Sequence, residues 1–529
     1  MSVGSRLAGT PRARVLLAVV LAALVYAASS GAMLLHPSPH FHFVDMAWNL
    51  MHGRVDTDTP RRGPNQPQKP DDPRGLSAAV NRHLLGADGK NLGWNDWASY
   101  RVLTLKGGEV VRGVFPWKDQ SAPRNREFRT LDGRLMIIDV DKELRSGCKP
   151  GRPYERCDDV VYQVSFPPLP AIVMMPLVAI WGYDVNDTLV TLLFAIASVL
   201  LFALWIERLA ARGLIATSAG DRVWLSALMA FGTVTWYCSI RGQVWFTALV
   251  VGLTLHFAYL WFGEGARRPF WAGLMFGLGV AARTPILFAG LFVPLEAAFE
   301  GGQPFWRGGG EGWKRFAVKM FWFALPAAIV GAGLAWFNWV RWENPLEFGH
   351  LYLLEGTRGP TREHGLFNTV FLNNNLSAAV TNMPRLLLNA PFVLITRHGL
   401  GLLASTPALF ALLGGPRRDE ATADDVAGAE RKRLERSLFW TLLAVAVPGL
   451  VYQNDGWQQF AYRFSMDFLP LLLGLFALRV QKLSRGVKIL IVLSMVVQLF
   501  GAITFGRMEQ FYYDCRRARR LPQLLPRIA

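Results

Sequence analysis

The sequence predicts an all-α polytopic membrane protein of about eleven transmembrane helices, with a small β-containing insert in the first external loop. Three observations lead there. Apolar residues make up 52% of the 529-residue chain and charged residues only 18%. Apolar runs long enough for a bilayer core of roughly 30 Å recur along it. These runs are continuous rather than alternating, which speaks against a β-barrel.

The first run, about residues 15–35, is too long for the apolar stretch of a signal peptide and reads as an uncleaved first span. Arg6, Arg12 and Arg14 precede it and hold the N-terminus in the cytoplasm by the positive-inside rule. Residues 1–35 therefore form a cytoplasmic start plus one helix, and residues 36–186 form a large extracytoplasmic loop. Within that loop, 54–75 is rich in Pro, Arg and Asp and reads as irregular. The stretches 100–117 and 128–140 alternate around Gly-Gly and Asp-Gly turns, the pattern of hairpins. Cys148 and Cys157 lie close together in SGCKPGRPYERCDD; in an oxidising compartment they read as a small-loop disulfide, and otherwise as two thiols.

The run at 167–183 is short and holds Pro167, Pro168, Pro170 and Pro176, so it reads as an interfacial helix. The clean run 188–206, followed by Arg208 and Arg212, reads as the second span. Later spans fall at about 223–240, 243–262, 317–340, 398–414, 437–452, 466–480 and 487–505. The run 270–298 is broken by AARTP into two short crossings, which places Arg283 near the outer tip. Residues 187–505 thus form the helical bundle, with an external loop at 341–397 and a charged cytoplasmic linker at 415–436. Residues 506–529 form a basic tail.

The formal net charge of +17 sits largely beside apolar runs, which fits contact with anionic lipid rather than nucleic acid. No Walker A, HExxH, GxSxG or zinc-finger spacing occurs. The sequence requires no cofactor and leaves a divalent metal open.

Four places could carry chemistry. In HFHFVDMAWNLMHG (40–53), a helix from Val44 to His52 puts Asp45, Asn49 and His52 on one face. That face is suited to water or protein, and the simpler reading is a carboxylate favouring a helix N-terminus. His42 lies three residues before Asp45 and His52 seven after it. Arg283, between two apolar halves, suits a lipid phosphate, or an ion pair with another helix. In 451–473, Arg463 and Asp467 are spaced to pair on one helix face. Trp457, Phe460 and Tyr462 there suit the interfacial aromatic belt or stacking on a sugar. The loop 343–364 carries Glu343, Glu347, His350, Glu355 and His364, and by itself reads as a polar loop.

The order of parts is distinctive: one span, an external loop that opens with an amphipathic helix, SFPPLPAIVMMPLVAIWG, then a clean span. It resembles the C-type integral membrane glycosyltransferases, the superfamily of protein O-mannosyltransferases and aminoarabinose transferases. GLGVAARTPILFAGLFVPL resembles that family's broken helix pair, and DGWQQFAYRFSMDFLPLLL a stretch of its uncharacterised bacterial members. The resemblance implies a sugar carried on polyprenyl phosphate and transferred on the outer face of the bacterial cytoplasmic membrane. It also implies an acidic base at the start of the first external loop. The family's acidic pair upstream of the loop glycine, here Gly53, maps onto Pro39 and His40. Asp45 is then the acid placed for the role, with Asp56 and Asp58 as alternatives, His42 and His52 assisting, and Arg283 near the donor phosphate. Trp457, Tyr462, Arg463, Asp467 and Glu347 are the further substrate-binding candidates. Two other functions remain open on the sequence: a transporter or flippase for a lipid-linked substrate, and a non-catalytic envelope assembly protein.

Overall fold

The computed structural model describes residues 10–38, 40–57, 97–115, 126–148, 157–353, 359–414 and 426–513. In chain order, helices α1 (Pro11–Ser30) and α2 (His42–Met51) come first. Strands β1 (Trp97–Thr104), β2 (Val110–Val114), β3 (Glu127–Thr130), β4 (Leu135–Ile137) and β5 (Asp158–Val164) follow. Then come α3 (Leu169–Trp181), α4 (Asp187–Ala211), α5 (Ala219–Phe231), α6 (Val244–Gly263), α7 (Pro269–Ala282), α8 (Phe292–Ala298) and α9 (Gly309–Trp342). After β6 (Arg385–Leu386) and β7 (Val393–Thr396) the chain closes with α10 (Val426–Leu450), α11 (Leu469–Arg479), α12 (Arg485–Thr504) and β8 (Tyr512–Tyr513). The chain divides into two compact units: Met1–Leu35, Thr188–Val330 and Thr369–Ala529 in one, His36–Asp187 and Gly331–Asn368 in the other.

Among the described residues, five helices are long and apolar enough to cross a membrane: Pro11–Leu34, Asp187–Ala211, Val244–Ala266, Phe305–Trp342 and Arg485–Thr504. Apolar side chains stay exposed on their outer faces, such as Leu16 and Leu24 of α1, Phe321 and Ile329 of α9, and Ile489 and Val496 of α12. Water would penalise such surfaces; hydrocarbon would not. Other runs read as spans are short or broken in the fold. Pro269–Ala282, Thr284–Ala298 and Leu469–Arg479 are shorter apolar helices, as is Leu169–Asp184, the run read as interfacial. The run 398–414 becomes a turn of helix at Leu402–Ser405 and a 3-10 stretch at Pro407–Gly414. The cause is local: a proline disfavours helical backbone in the residue before it, and Thr406 precedes Pro407.

In the helical unit, hydroxyl pairs fix the direction of neighbouring helices. Thr191 bonds Thr247 at 2.7 Å and Ser198 bonds Thr254 at 2.8 Å. The partners advance together, so α4 and α6 run parallel, and the chain between them returns through α5. One end of this bundle is laced with ion pairs. Glu207 takes Arg14 at 2.7 Å and Arg222 at 3.0 Å, Lys488 meets Asp221 at 2.9 Å, and Glu264 is held by Arg212. α10 starts at Val426, so residues 426–436 are helix, not linker. Several of their charges find partners on other elements: Glu435 pairs with Arg479, Glu430 with Arg212, and Arg433 approaches Glu296. Residues 415–425 and the tail from 514, with Cys515 and RRARR, lie outside the described residues.

α7 and α9 approach closely through a small-residue stripe. A Cβ on Gly273 would collide with the Phe323 carbonyl, and one on Gly277 would lie 3.1 Å from Val330. Such G-x-x-x-G spacing lets helix backbones meet in a membrane.

The second unit is built on a five-stranded antiparallel sheet of order β4-β3-β2-β1-β5. Gly108 and Gly133 take positive φ in the two turns, where glycine carries no steric cost. The register sets Arg101 opposite Gly113 and Trp97 opposite Val164. Leu103, Val111, Phe128, Ile138 and Leu144 pack one cluster; Tyr100, Trp342 and Leu353 anchor another. A disulfide joins Cys148 to Cys157, with Cα atoms 5.0 Å apart.

Candidate functional site

Asp45 lies in the first turn of α2 and is completely buried. Its Oδ1 accepts from the Tyr183 hydroxyl at 2.6 Å and from Asn49 Nδ2 at 3.2 Å. Its Oδ2 accepts from the Thr57 hydroxyl. Asn49 also donates to the Asp45 carbonyl at 2.8 Å, the one-turn spacing that put them on one face. Thr57 is pinned in turn by its backbone N–H to the Tyr162 carbonyl at 2.9 Å. Three segments thus converge on one carboxylate: α2, the chain after Gly53, and the turn that follows α3. Of the expected polar stripe, Asp45 and Asn49 are buried against protein and His52 is not. His52 caps α2 from outside, exposed, with Nδ1 against the Trp48 carbonyl at 2.7 Å.

His42 departs from its expected role. It is fully buried and stacked on Trp97, ring centroids 3.7 Å apart. Among the described residues neither ring nitrogen makes a hydrogen bond of good geometry. Burial holds its pKa well below the usual imidazole range, with neighbouring His40 adding to the effect. Burial lowers His40 itself to about 4. His42 therefore packs as a neutral aromatic ring, and the bonds on the Asp45 carboxylate described above come from hydroxyls and an amide. Asp56 is bound by Arg54 at 2.9 Å, and Asp58 lies outside the described residues.

Glu347 organises its own loop. Its Oε1 accepts from the Gly349 N–H at 2.6 Å. Burial raises its pKa, opposed first by backbone N–H groups at 348–351 and then by Arg341. Glu343 pairs with Arg112 at 3.0 Å, and Glu355 lies outside the described residues.

In the helical unit, α7 stops at Arg283, whose backbone is extended (φ −152°, ψ 105°), because Pro285 has no N–H to continue the helix and its ring would clash with the Ala281 carbonyl. Arg283 sits at the break between the two halves, packed against α6. A Cβ on Gly252 would touch the Arg283 side chain, and Gly252 lies about 12 Å along α6 from its first residue. Arg283 gives both arms of its fork to Asp467, at 2.8 and 2.9 Å. The paired hydrogen bonds expected for a phosphate are thus made to a carboxylate. The Asp467 carbonyl in turn meets His256 Nδ1 at 3.0 Å. The spacing of Arg463 and Asp467 does not make them a pair here, because Arg463–Asp467 is a 3-10 turn and Asp467 turns to Arg283. Arg463 donates to the Gln458 carbonyl at 3.1 Å and lies over the Trp245 and Phe246 rings. Phe460 and Tyr462 are buried in the core, which removes them as a stacking surface for a sugar; Trp457 is half-buried.

Two further features carry no sign in the sequence. His398 Nδ1 meets Asp455 Oδ2 at 2.6 Å, across 57 residues of chain. Gln459 ties them together, donating to the carbonyls of both residues at 2.7 and 2.8 Å. Such a bond orients the imidazole and makes Nε2 the acceptor nitrogen, the arrangement of a general base. Arg241, between α5 and α6, is buried and makes no ion pair among the described residues. No short-range pattern marks either one. Among the described residues no group of three or more His, Cys, Asp or Glu is arranged to hold a metal ion.

Comparison with known families, with curated proteins and with solved structures finds no match to this chain. The functional reading rests on the residues themselves.

Proposed function

We propose that the chain is a membrane glycosyltransferase of the C-type architecture. It would move a sugar from a polyprenyl-phosphate donor to an acceptor hydroxyl on the extracytoplasmic face of a bacterial inner membrane. The chain would cross about eleven times, counting short and broken helices, with its N-terminus in the cytoplasm and the sheet outside. The observation that carries the reading is the Thr57 hydroxyl on Asp45 Oδ2. A hydroxyl already donates to a buried carboxylate that follows the first apolar helix in sequence, and an acceptor hydroxyl would take the same place. Asp45 would accept that proton as the acceptor oxygen bonds the anomeric carbon and the bond to phosphate breaks, with inversion. Tyr183 and Asn49 would hold the carboxylate in one orientation.

Incubating the purified protein with labelled polyprenyl-phosphate sugars tests this. Asp45→Asn should abolish transfer while the folded protein is retained; full transfer by that variant ends the assignment. Failure to transfer any donor favours the lipid-substrate transporter or the assembly protein.

A second reading keeps the reaction and moves the base to His398, because its bond to Asp455 sets up an acceptor nitrogen. His398→Gln separates the two: it should spare transfer if Asp45 is the base and abolish it if His398 is.

A further inference from the structure

At the bundle end opposite the Arg14–Glu207 pair, basic charge is left uncompensated. Arg241 sits between the turn Thr235–Ser239 and the start of α6, with only 3% of its surface exposed. Among the described residues its Nε and Nη2 have no hydrogen-bond partner. The guanidinium lies 5.0 Å over the Phe505 ring. Gly506, at φ +62°, lies so close that a Cβ there would sit 2.9 Å from Nη1. Two residues earlier, the buried Ser239 hydroxyl also has no partner among the described residues.

Arg507 completes the patch. It is exposed and spends its Nη atoms on the carbonyls of Ala502, Ser29 and Ser30. No carboxylate pairs with Arg241 or Arg507 among the described residues. The pKa of Arg241 is pushed down to about 10, first by burial and then by the charge of Arg507. It remains a cation at neutral pH.

A guanidinium buried without an acceptor is strongly disfavoured. Native folds keep such a group where an anion completes it. Two further features set the sign and the shape of that anion. α6 is a 20-residue helix whose N-cap residue, Gln243, provides no side-chain cap, so its positive end faces the same segment. The Arg241 fork and the Ser239 hydroxyl supply the free donors, and Arg507, its own donors held by carbonyls, adds positive charge; a tetrahedral phosphate suits that set.

We infer that Arg241, with Arg507, Ser239 and the N-terminus of α6, forms a binding site for a phosphate monoester or diester. The site lies where α1 ends and α6 begins, the level at which lipid phosphates meet a bilayer-spanning helix. A lipid headgroup and free phosphate share this chemistry. The inference does not depend on sugar transfer, because its test is binding.

The full chain, purified in phosphate-free detergent solution, is titrated with inorganic phosphate, with dihexanoyl phosphatidic acid, and with dihexanoylglycerol as the uncharged control. Sodium chloride keeps the ionic strength constant. Calorimetry and the unfolding temperature read binding. The wild type should bind phosphatidic acid and gain thermal stability, and the uncharged control should do neither. Arg241→Gln should weaken binding by at least about tenfold, the loss expected for one charge-assisted hydrogen bond. Arg241→Lys should fall between. Without ligand, Arg241→Gln should unfold at the same temperature or higher, because it removes an unmatched buried charge. Stronger binding of phosphatidic acid than of phosphate names the lipid as the source; equal binding names the free anion. Equal affinity of wild type and Arg241→Gln overturns the inference. If the glutamine variant fails to fold, the wild type decides: no response to either phosphate compound overturns it.

Discussion

Arg283 and Asp467 stand 184 residues apart in the chain and meet through two parallel hydrogen bonds of 2.8 and 2.9 Å. The pair lies within the length of α6, where Gly252 makes room for the arginine and His256 holds the aspartate carbonyl. It joins the break after α7 to the turn before α11.

Removing one partner should cost more than removing both. Arg283→Met or Asp467→Asn alone leaves a charge or an unmet donor in an apolar bundle, a loss of roughly 3–5 kcal/mol. The double variant Arg283→Met/Asp467→Leu should lose clearly less than the sum. Unfolding temperatures of the four proteins in detergent give the coupling. Additive losses would show that the two side chains do not stabilise each other.

Acid should loosen the sheet-containing unit through its buried histidines. His40 and His42 are folded as neutral rings with lowered pKa, His40 near 4, against a usual 6.5. Between those values the unfolded chain binds protons that the folded chain refuses. Stability from this source is therefore complete above pH 6.5 and declines as pH falls toward 4. His40→Gln/His42→Phe keeps a ring against Trp97 and removes both titrations. Its unfolding temperature should fall less steeply than the wild type's across that window, and identical slopes would refute the assignment.

The Cys148–Cys157 bond closes a short loop, with a sequence separation of 9. Replacing both cysteines by serine should destabilise this unit by about 2–3 kcal/mol through the freed unfolded chain. Alkylation and mass mapping of protein from an oxidising compartment should leave both residues unmodified until reductant is added. Labelling of either residue without reductant would remove the bond.

Gly273→Val tests the close approach of α7 and α9. The added side chain meets the Phe323 carbonyl. The expected loss is roughly 1–3 kcal/mol, the usual cost of overpacking. The same change at Gly331, where an added Cβ would have no heavy atom within 4 Å, should cost less. Equal losses at the two positions would mean that helix propensity, not packing, decides.

What the sequence made legible was local. Apolar run length marked α1, α4, α6 and α12, and the break at Thr284-Pro285 was visible as a proline signal. The one-turn spacing that placed Asp45 and Asn49 on a common face also holds in α2. What it hid was pairing across distance. Nothing near Asp467 says that its partner is Arg283 rather than Arg463, because that choice depends on a 3-10 turn rotating the carboxylate. Aromatic character likewise did not say which rings face outward: Tyr462 reads as an interfacial residue and is buried. The charged stretch 426–436 reads as a linker because its partners, Arg479 and Glu296, lie on other helices.

The hydroxyl pairs Thr191–Thr247 and Ser198–Thr254 sit seven residues apart on both α4 and α6. Two bolts about 10 Å apart along parallel rods fix translation as well as contact. Sliding α4 past α6 by one turn would break both bonds at once and bring hydroxyls against apolar neighbours. Any opening of the helical unit must therefore carry α4 and α6 as one rigid plank and find its hinge elsewhere, in the proline-marked breaks at Thr284-Pro285 and Thr406-Pro407.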